Sequence, residues 1–129
     1  MQHDPLADAL SRIKNAERAG ERQCTVEPAS VLVGSVLQVM HESGYISAYE
    51  HVDDGRGGRF RVALKGQIND CGVIKPRYAV KRSEFEKWES RYLPAQDFGA
   101  LIVTTTAGVV SHAKAKELHT GGKLLAYVY

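Results

Sequence analysis

Gly99-Ala-Leu-Ile-Val-Thr-Thr-Thr-Ala-Gly-Val-Val-Ser-His-Ala-Lys-Ala-Lys116 is the stretch that decides the fold of this 129-residue chain. Its opening run, Ala100–Val103, is apolar without interruption and is bounded by Gly99. That is the pattern of a buried strand. Thr104, Thr105 and Thr106 come next; β-branching lets threonine extend a strand while its hydroxyl offers a donor and two acceptor positions. Gly108 supplies backbone freedom and leaves room for a close neighbour. Ser111 is placed to cap a short helix over His112–Leu118. The predicted unit is therefore a strand, a hydroxyl-rich turn and a short basic helix. Short hydroxyls beside a glycine, with lysines just beyond, suit a ligand rich in oxygens and flat surfaces, as nucleic acid is. The same residues also fit an ordinary Thr-rich strand end in any α+β domain. The Gly-x-x-x-x-Gly-Lys-Thr/Ser pattern of a phosphate-cradling loop does not occur.

Outward from this stretch, the first 66 residues predict a helix, a strand, a second helix and a hairpin. Asp4-Pro5 marks a helix start, with Asp4 as N-cap and Pro5 in the first turn. Leu6, Leu10 and Ile13 form one apolar stripe, and Arg12 and Asn15 fall on another face. Cys24–Glu27 reads as a short strand stopped by Pro28, and Ser30 caps a helix carrying Leu32, Val36, Leu37 and Met40 inward, closed by Gly44. Tyr45–Val52 and Arg59–Leu64 flank the loop Asp53-Asp-Gly-Arg-Gly-Gly58 as a hairpin, with Phe60, Val62 and Leu64 inward and Arg59 and Arg61 outward.

The polar, turn-rich Gly66–Gly72 marks the boundary between two small lobes, residues 1–66 and 67–129. Val73–Val80 predicts the next strand, with Pro76 implying an edge position or a bulge. Lys75, Arg77, Lys81 and Arg82 make it basic, with Tyr78 among them. Cations interleaved with an aromatic ring suit RNA, and they equally suit an edge strand protected by charge. Ser83-Glu-Phe-Glu86 has the spacing of a capping box, and Phe85, Trp88 and Tyr92 then make an aromatic stripe for the core. Thr120-Gly121-Gly122 is a turn and Leu124–Tyr129 a strand tied into a sheet. The fold class is α+β, with an N-terminal helix-strand-helix plus β-hairpin lobe and a mostly β lobe with short helices.

Net charge is +2, but it is uneven: residues 1–54 hold 4 Lys/Arg against 9 Asp/Glu, residues 55–96 hold 10 against 4, and residues 97–129 hold 3 against 2. The basic middle points to a polyanion on one face. Cys24 and Cys71 lie far apart without a Cys-x-x-Cys pattern, and the five histidines lack metal-ligand spacing, so neither zinc nor another cofactor is expected. No apolar run reaches the roughly 20 residues of a membrane helix, and no secretory signal pattern is present. The expected location is the cytoplasm.

Gly99, Ile102-Val103, Thr104-Thr105, Gly108, Val109-Val110 and Ala115-Lys116 stand in the order and spacing of the signature of the small-subunit ribosomal protein eight family, which the chain resembles over nearly its whole length. Tyr92-Leu-Pro-Ala-Gln-Asp-Phe-Gly99 before the signature and His119-Thr-Gly-Gly-Lys123 after it resemble the archaeal and eukaryotic branch. Asp4–Ala16 resembles the family's first helix. The resemblance implies a structural constituent of the small ribosomal subunit, cytoplasmic with the ribosome, that binds the central domain of the small-subunit rRNA early in assembly and touches neighbouring ribosomal proteins. It implies neither a membrane nor a small-molecule substrate as partner. Carried onto this chain, it implies rRNA contacts at Thr104, Thr105, Thr106, Gly108, Lys116, Gly121, Gly122, Lys123, Tyr78, Lys75 and Arg77, and a second contact at Arg12, Lys14 and Asn15. Three departures stand out. Thr-Thr-Thr replaces a frequent Ser-Thr-Ser, Lys116 replaces a frequent arginine with its bidentate fork, and Lys123 stands where bacterial relatives carry an acid.

Two other function classes compete. One is a small hydrolase or transferase with a threonine nucleophile near His112, which needs an activating base in hydrogen-bond reach. The other is a protein-interaction module without RNA, which accounts for the acidic first part but not for the basic middle.

Overall fold

The computed structural model describes residues 5–27, 29–53, 55, 58–95 and 98–129. The proposed cap Asp4, Pro28, half of the tip of the first hairpin (residues 54, 56 and 57), and Gln96-Asp97 lie outside them.

Helix α1 (Pro5–Arg18) buries Leu6, Ala9, Leu10, Ile13 and Ala16 along one stripe. Strand β1 (Gln23–Val26) leads to α2 (Val31–Glu42), where the Ser30 hydroxyl accepts the Val33 N–H at 3.1 Å as expected of an N-cap. Val33, Val36, Leu37, Val39 and Met40 are buried on α2, while Leu32 is half-buried. Strands β2 (Ile46–Val52) and β3 (Arg59–Leu64) form the hairpin, and β1 adds to its far side to give the antiparallel order β1-β3-β2. Phe60, Val62 and Leu64 face the core, and outward Arg61 pairs with Glu50 across the strands at 3.0 Å.

The second sheet carries β4 (Cys71–Val73), β5 (Ala79–Val80), β6 (Ala100–Thr105), β7 (Gly108–Ser111) and β8 (Gly122–Val128). β8 lies between β4 and β5 on one side and β6 on the other, with β7 beyond β6. Helix α3 (Phe85–Tyr92) enters after β5, and α4 (His112–Glu117) follows β7 without a linker.

The single strand expected over Val73–Val80 is two short pieces. Val73 faces Ala126 and Ala79 faces Lys123, so six residues on one side run against three on the other. The excess loops out as Lys75-Pro76-Arg77, because proline has no N–H to give the ladder. The capping box at Ser83–Glu86 is also not formed. Glu84 is the N-cap residue without a side-chain cap bond, and its carboxylate turns back to accept the Lys81 N–H at 2.9 Å. A further difference is β7, a strand where the sequence predicts only turn and helix.

Ala100–Val103 is apolar throughout because both faces of β6 are covered. Ala100 and Ile102 enter a core shared with α1, α2 and the first sheet, while Leu101 and Val103 enter a second core with Phe85, Trp88, Ala115 and Leu124. Each large side chain so buried contributes about 1.5–3 kcal/mol relative to exposure. The larger sheet is thus the middle layer. The segment leading into it is held by α1: Glu17 accepts the Ile68 N–H at 3.1 Å, and Lys14 meets Asp70 at 2.8 Å.

Candidate nucleic-acid interface

Strands β6 and β7 form a tight hairpin in which Thr105 faces Gly108 across the two turn residues Thr106 and Ala107. The Thr105 hydroxyl accepts the Ala107 N–H at 3.0 Å and donates to the Gly108 carbonyl at 2.9 Å. This residue is therefore the internal brace of the turn. The positive backbone angle falls on Gly108, at φ 111°, with open space around it. The need for glycine here is conformational, not steric. Thr104 and Thr106 present the remaining hydroxyls of the row, Thr106 exposed and Thr104 half-buried. Neither hydroxyl has a hydrogen-bond partner among the described residues.

Sheet register places Val109, Thr104, Lys123 and Ala79 in one row across β7, β6, β8 and β5. Direct cross-strand partners share a face, so Thr104 and Lys123 stand side by side. Just beyond Ala79 is the exposed excursion with Lys75 and Arg77, followed by exposed Lys81 and Arg82. Hydroxyls, lysine and basic loop thus converge at one end of the sheet.

What brings them together is the pair Gly121-Gly122. A Cβ on Gly121 would overlap the Val80 carbonyl oxygen and sit 3.1 Å from the Lys81 Cα, and one on Gly122 would overlap the Thr104 carbonyl oxygen. The close approach these glycines permit is to the chain's own backbone, the basic loop on one side and β6 on the other. Tyr78 is half-buried, with its ring stacked on Trp88 at 4.7 Å between centroids. Its neighbour Trp88 also meets Tyr92 and the cations of Lys87 and Arg91.

Lys116 is held differently from Lys123. Its ammonium is bonded to Glu89 on α3, and the same Glu89 oxygen lies 3.1 Å from His112 Nε2. The Leu101 N–H donates to His112 Nδ1 at 3.0 Å. Both imidazole nitrogens are committed to the interior, which leaves His112 no role as the base a threonine nucleophile requires. Glu89, buried at 5% exposure, was not foreseen. The available signal is its place on α3: with Phe85, Trp88 and Tyr92 it completes the i, i+3, i+4, i+7 stripe, so a charge sits on the apolar face.

The α1 residues separate. Arg12 and Asn15 are exposed and line a surface cleft of about 460 Å³ with Ala16, Ala19, Glu21, Cys24 and Thr25. Lys14 turns away to Asp70, and that hydrogen bond holds its pKa above the ordinary lysine value. Burial acts to raise the Asp70 carboxyl. It is outweighed by Lys14, assisted by the Cys71 N–H and the Tyr129 hydroxyl, so the Asp70 pKa lies below the usual value. Asp70 joins Glu89 as a structural partner that local sequence did not disclose. Among the described residues no group of His, Cys, Asp and Glu could hold a metal ion, and no helix is long and apolar enough to cross a membrane.

The profile of the family described as ribosomal protein S8 matches residues 4–129. The chain is similar to the small ribosomal subunit protein uS8 of Picrophilus torridus, 56% identical over 129 residues and covering 100% of both chains. It is also similar to the proteins of that name from Halorubrum lacusprofundi, 55% identical over 127 residues, and Halobacterium salinarum, 56% identical over 127 residues, each match covering 98% of both chains.

Proposed function

The chain belongs to the ribosomal protein S8 family, a family of small-subunit ribosomal proteins and not of enzymes, and from this we propose that it grips an irregular stem in the central domain of the small-subunit rRNA and helps that domain assemble in the cytoplasm. The observation that carries the reading is the sheet row that sets Thr104 beside Lys123, flanked by the Thr106 turn and the Lys75–Arg77 excursion. Thr104 and Thr106 hydroxyls are suited to sugar 2′-hydroxyls and base edges, and Lys123, Lys75 and Arg77 to phosphates. Thr105 and Gly108 fix the turn. Gly121 and Gly122 fix the distance between turn and basic loop, and Tyr78 anchors that loop on Trp88. Residues 67–129 form the RNA-gripping lobe in this proposal. Residues 1–66 form the second lobe, with Arg12 and Asn15 as a separate rRNA contact and its acidic surface toward neighbouring ribosomal proteins. Recognition is by shape and backbone, with no chemistry and no cofactor.

The test is equilibrium binding to a central-domain rRNA fragment across a salt series, with an unrelated stem of equal length as control. Binding at least about tenfold tighter than to the control, weakening steeply with salt and reduced about tenfold, though still measurable, on combined Thr104→Val and Thr106→Val substitution, is the expected result. Equal affinity for both RNAs, or indifference to the substitutions, refutes it.

A further inference from the structure

We infer that Lys116 and Glu89 are positioning residues for RNA binding, a strut that sets the β6–β7 turn, and that the Lys116 ammonium is not a cation offered to phosphate. The inference rests on the reading of that turn as an RNA contact.

Three observations support it. The Glu89 carboxylate is 5% exposed, and a buried carboxylate must keep its donors. Its donors are Lys116 and His112, one helical turn apart on a single face of α4. A phosphate that drew Lys116 away would leave Glu89 with His112 alone, a group that donates only through Nε2 because Nδ1 is taken by the Leu101 N–H.

The second observation is where this chain of bonds ends. The β6–β7 ladder stops at Ile102 and Ser111. At the following residue, the imidazole of His112 replaces the backbone as acceptor for β6. One carboxylate on α3 therefore ties together the edge of β6 and both turns of α4.

The third is connectivity. β7 has four residues, pairs among the described residues only with β6, and runs into α4 with no linker. The orientation of β7, and with it the presentation of the Thr106 turn beside Thr104, is set at the turn by the Thr105 brace, along the strand by Val109 and Val110 packed against the two cores, and at the far end by the seating of α4 on Glu89.

Lys116→Met tests this in two backgrounds, the unaltered chain and the Thr104→Val/Thr106→Val variant, below the melting temperature of every protein used. In the unaltered background the substitution is expected to weaken central-domain binding about fivefold, with the slope of log affinity against log salt unchanged. In the threonine-depleted background its effect is expected to shrink to within about twofold, the signature of groups that act as a unit. Glu89→Leu, which removes the acceptor, is expected to weaken binding about as much as Lys116→Met, and Glu89→Gln, which keeps an acceptor oxygen without the charge, is expected to lose less than Glu89→Leu. The inference is overturned if Lys116→Met flattens the salt slope by about 0.9, the contribution of one phosphate contact. It is also overturned if the loss is the same in both backgrounds, if Lys116→Met changes nothing, or if Glu89→Gln tightens binding by releasing the lysine. Failure of the unaltered chain to prefer the central-domain fragment is a separate result, visible before any variant is made, and it removes the RNA reading and this inference together.

Discussion

Gly121→Ala adds one methyl group at a point where the chain has no room for it. Its Cβ would overlap the Val80 carbonyl oxygen and lie 3.1 Å from the Lys81 Cα and 3.2 Å from the Arg82 nitrogen. All three are backbone atoms, so no side chain can swing aside; β5 must move off β8. Detaching β5 gives up its ladder bonds at Ala79 and Val80, roughly 1 kcal/mol each net, and uncovers Val80, roughly 2 kcal/mol. Smaller shifts that leave the strand partly paired fall in the overpacking range of about 1–3 kcal/mol. The expected destabilisation is about 2–4 kcal/mol, a fall of about 6–14 °C in Tm for a chain of this size. Differential scanning calorimetry measures the stability change, and binding to the central-domain fragment measures the displacement of Lys81 and Arg82 from the hydroxyl row. A Tm within about 2 °C of the unaltered protein refutes the steric argument. A large Tm loss with undiminished RNA affinity, measured well below the new Tm, refutes the claim that this glycine sets the geometry of the site.

Three further outcomes are expected. Arg12→Ala should impair incorporation into small subunits more than binding to an isolated central-domain stem, and equal losses in the two assays contradict a separate α1 contact. The Lys14–Asp70 pair gives stability a defined pH dependence: the depressed Asp70 pKa contributes stability that is present above the unfolded value of 3.8 and lost as pH falls through the folded one, while the raised Lys14 pKa contributes stability present below 10.5 and lost as pH rises through its folded value. Urea midpoints should therefore separate Asp70→Asn from the unaltered protein at pH 7 and converge at acid pH; a constant gap excludes the pair as the cause. Burial pushes the Cys24 thiol up to about 11 and Cys71 up to about 12, so at pH 7.5 a thiol-specific reagent should label the folded protein slowly and the urea-unfolded protein rapidly, whereas equal rates would show that the folded chain does not shield them.

Elements whose signal is local were legible in the sequence. The stripes of α1 and α2, the Ser30 cap and the alternation Phe60-Val62-Leu64 each follow from a periodicity that burial rewards directly. Ala100–Val103 gave away its strand because two cores claim its opposite faces. The misreadings are non-local. β7 consists of four residues, and it is a strand because Val109 and Val110 face Thr104 and Val103 on a neighbour already in place. The apparent capping box at Ser83 is the exception, a local competition: Glu84 closes the 81–84 turn, its N–H donating to the Lys81 carbonyl and its carboxylate accepting the Lys81 N–H. At the site, the exposed hydroxyls and cations were visible as residue types, but their division of labour was not. Nothing near Thr105 distinguishes a brace from a contact, and Lys116 looks like Lys123 until Glu89, 27 residues away in sequence, is seen to take its ammonium.

The position of β8 inside its sheet has a consequence for biosynthesis. Cys71–Val73, Ala79–Val80 and Ala100–Thr105 all pair with residues 122–128. A nascent chain cannot zip this sheet until those seven residues have left the exit tunnel. Until then β6 has no partner on its β8 side, and the core that Ala100 and Ile102 share with α1 and α2 still lacks Leu125, Ala126 and Val128, the interval in which a chaperone would meet the chain unfinished.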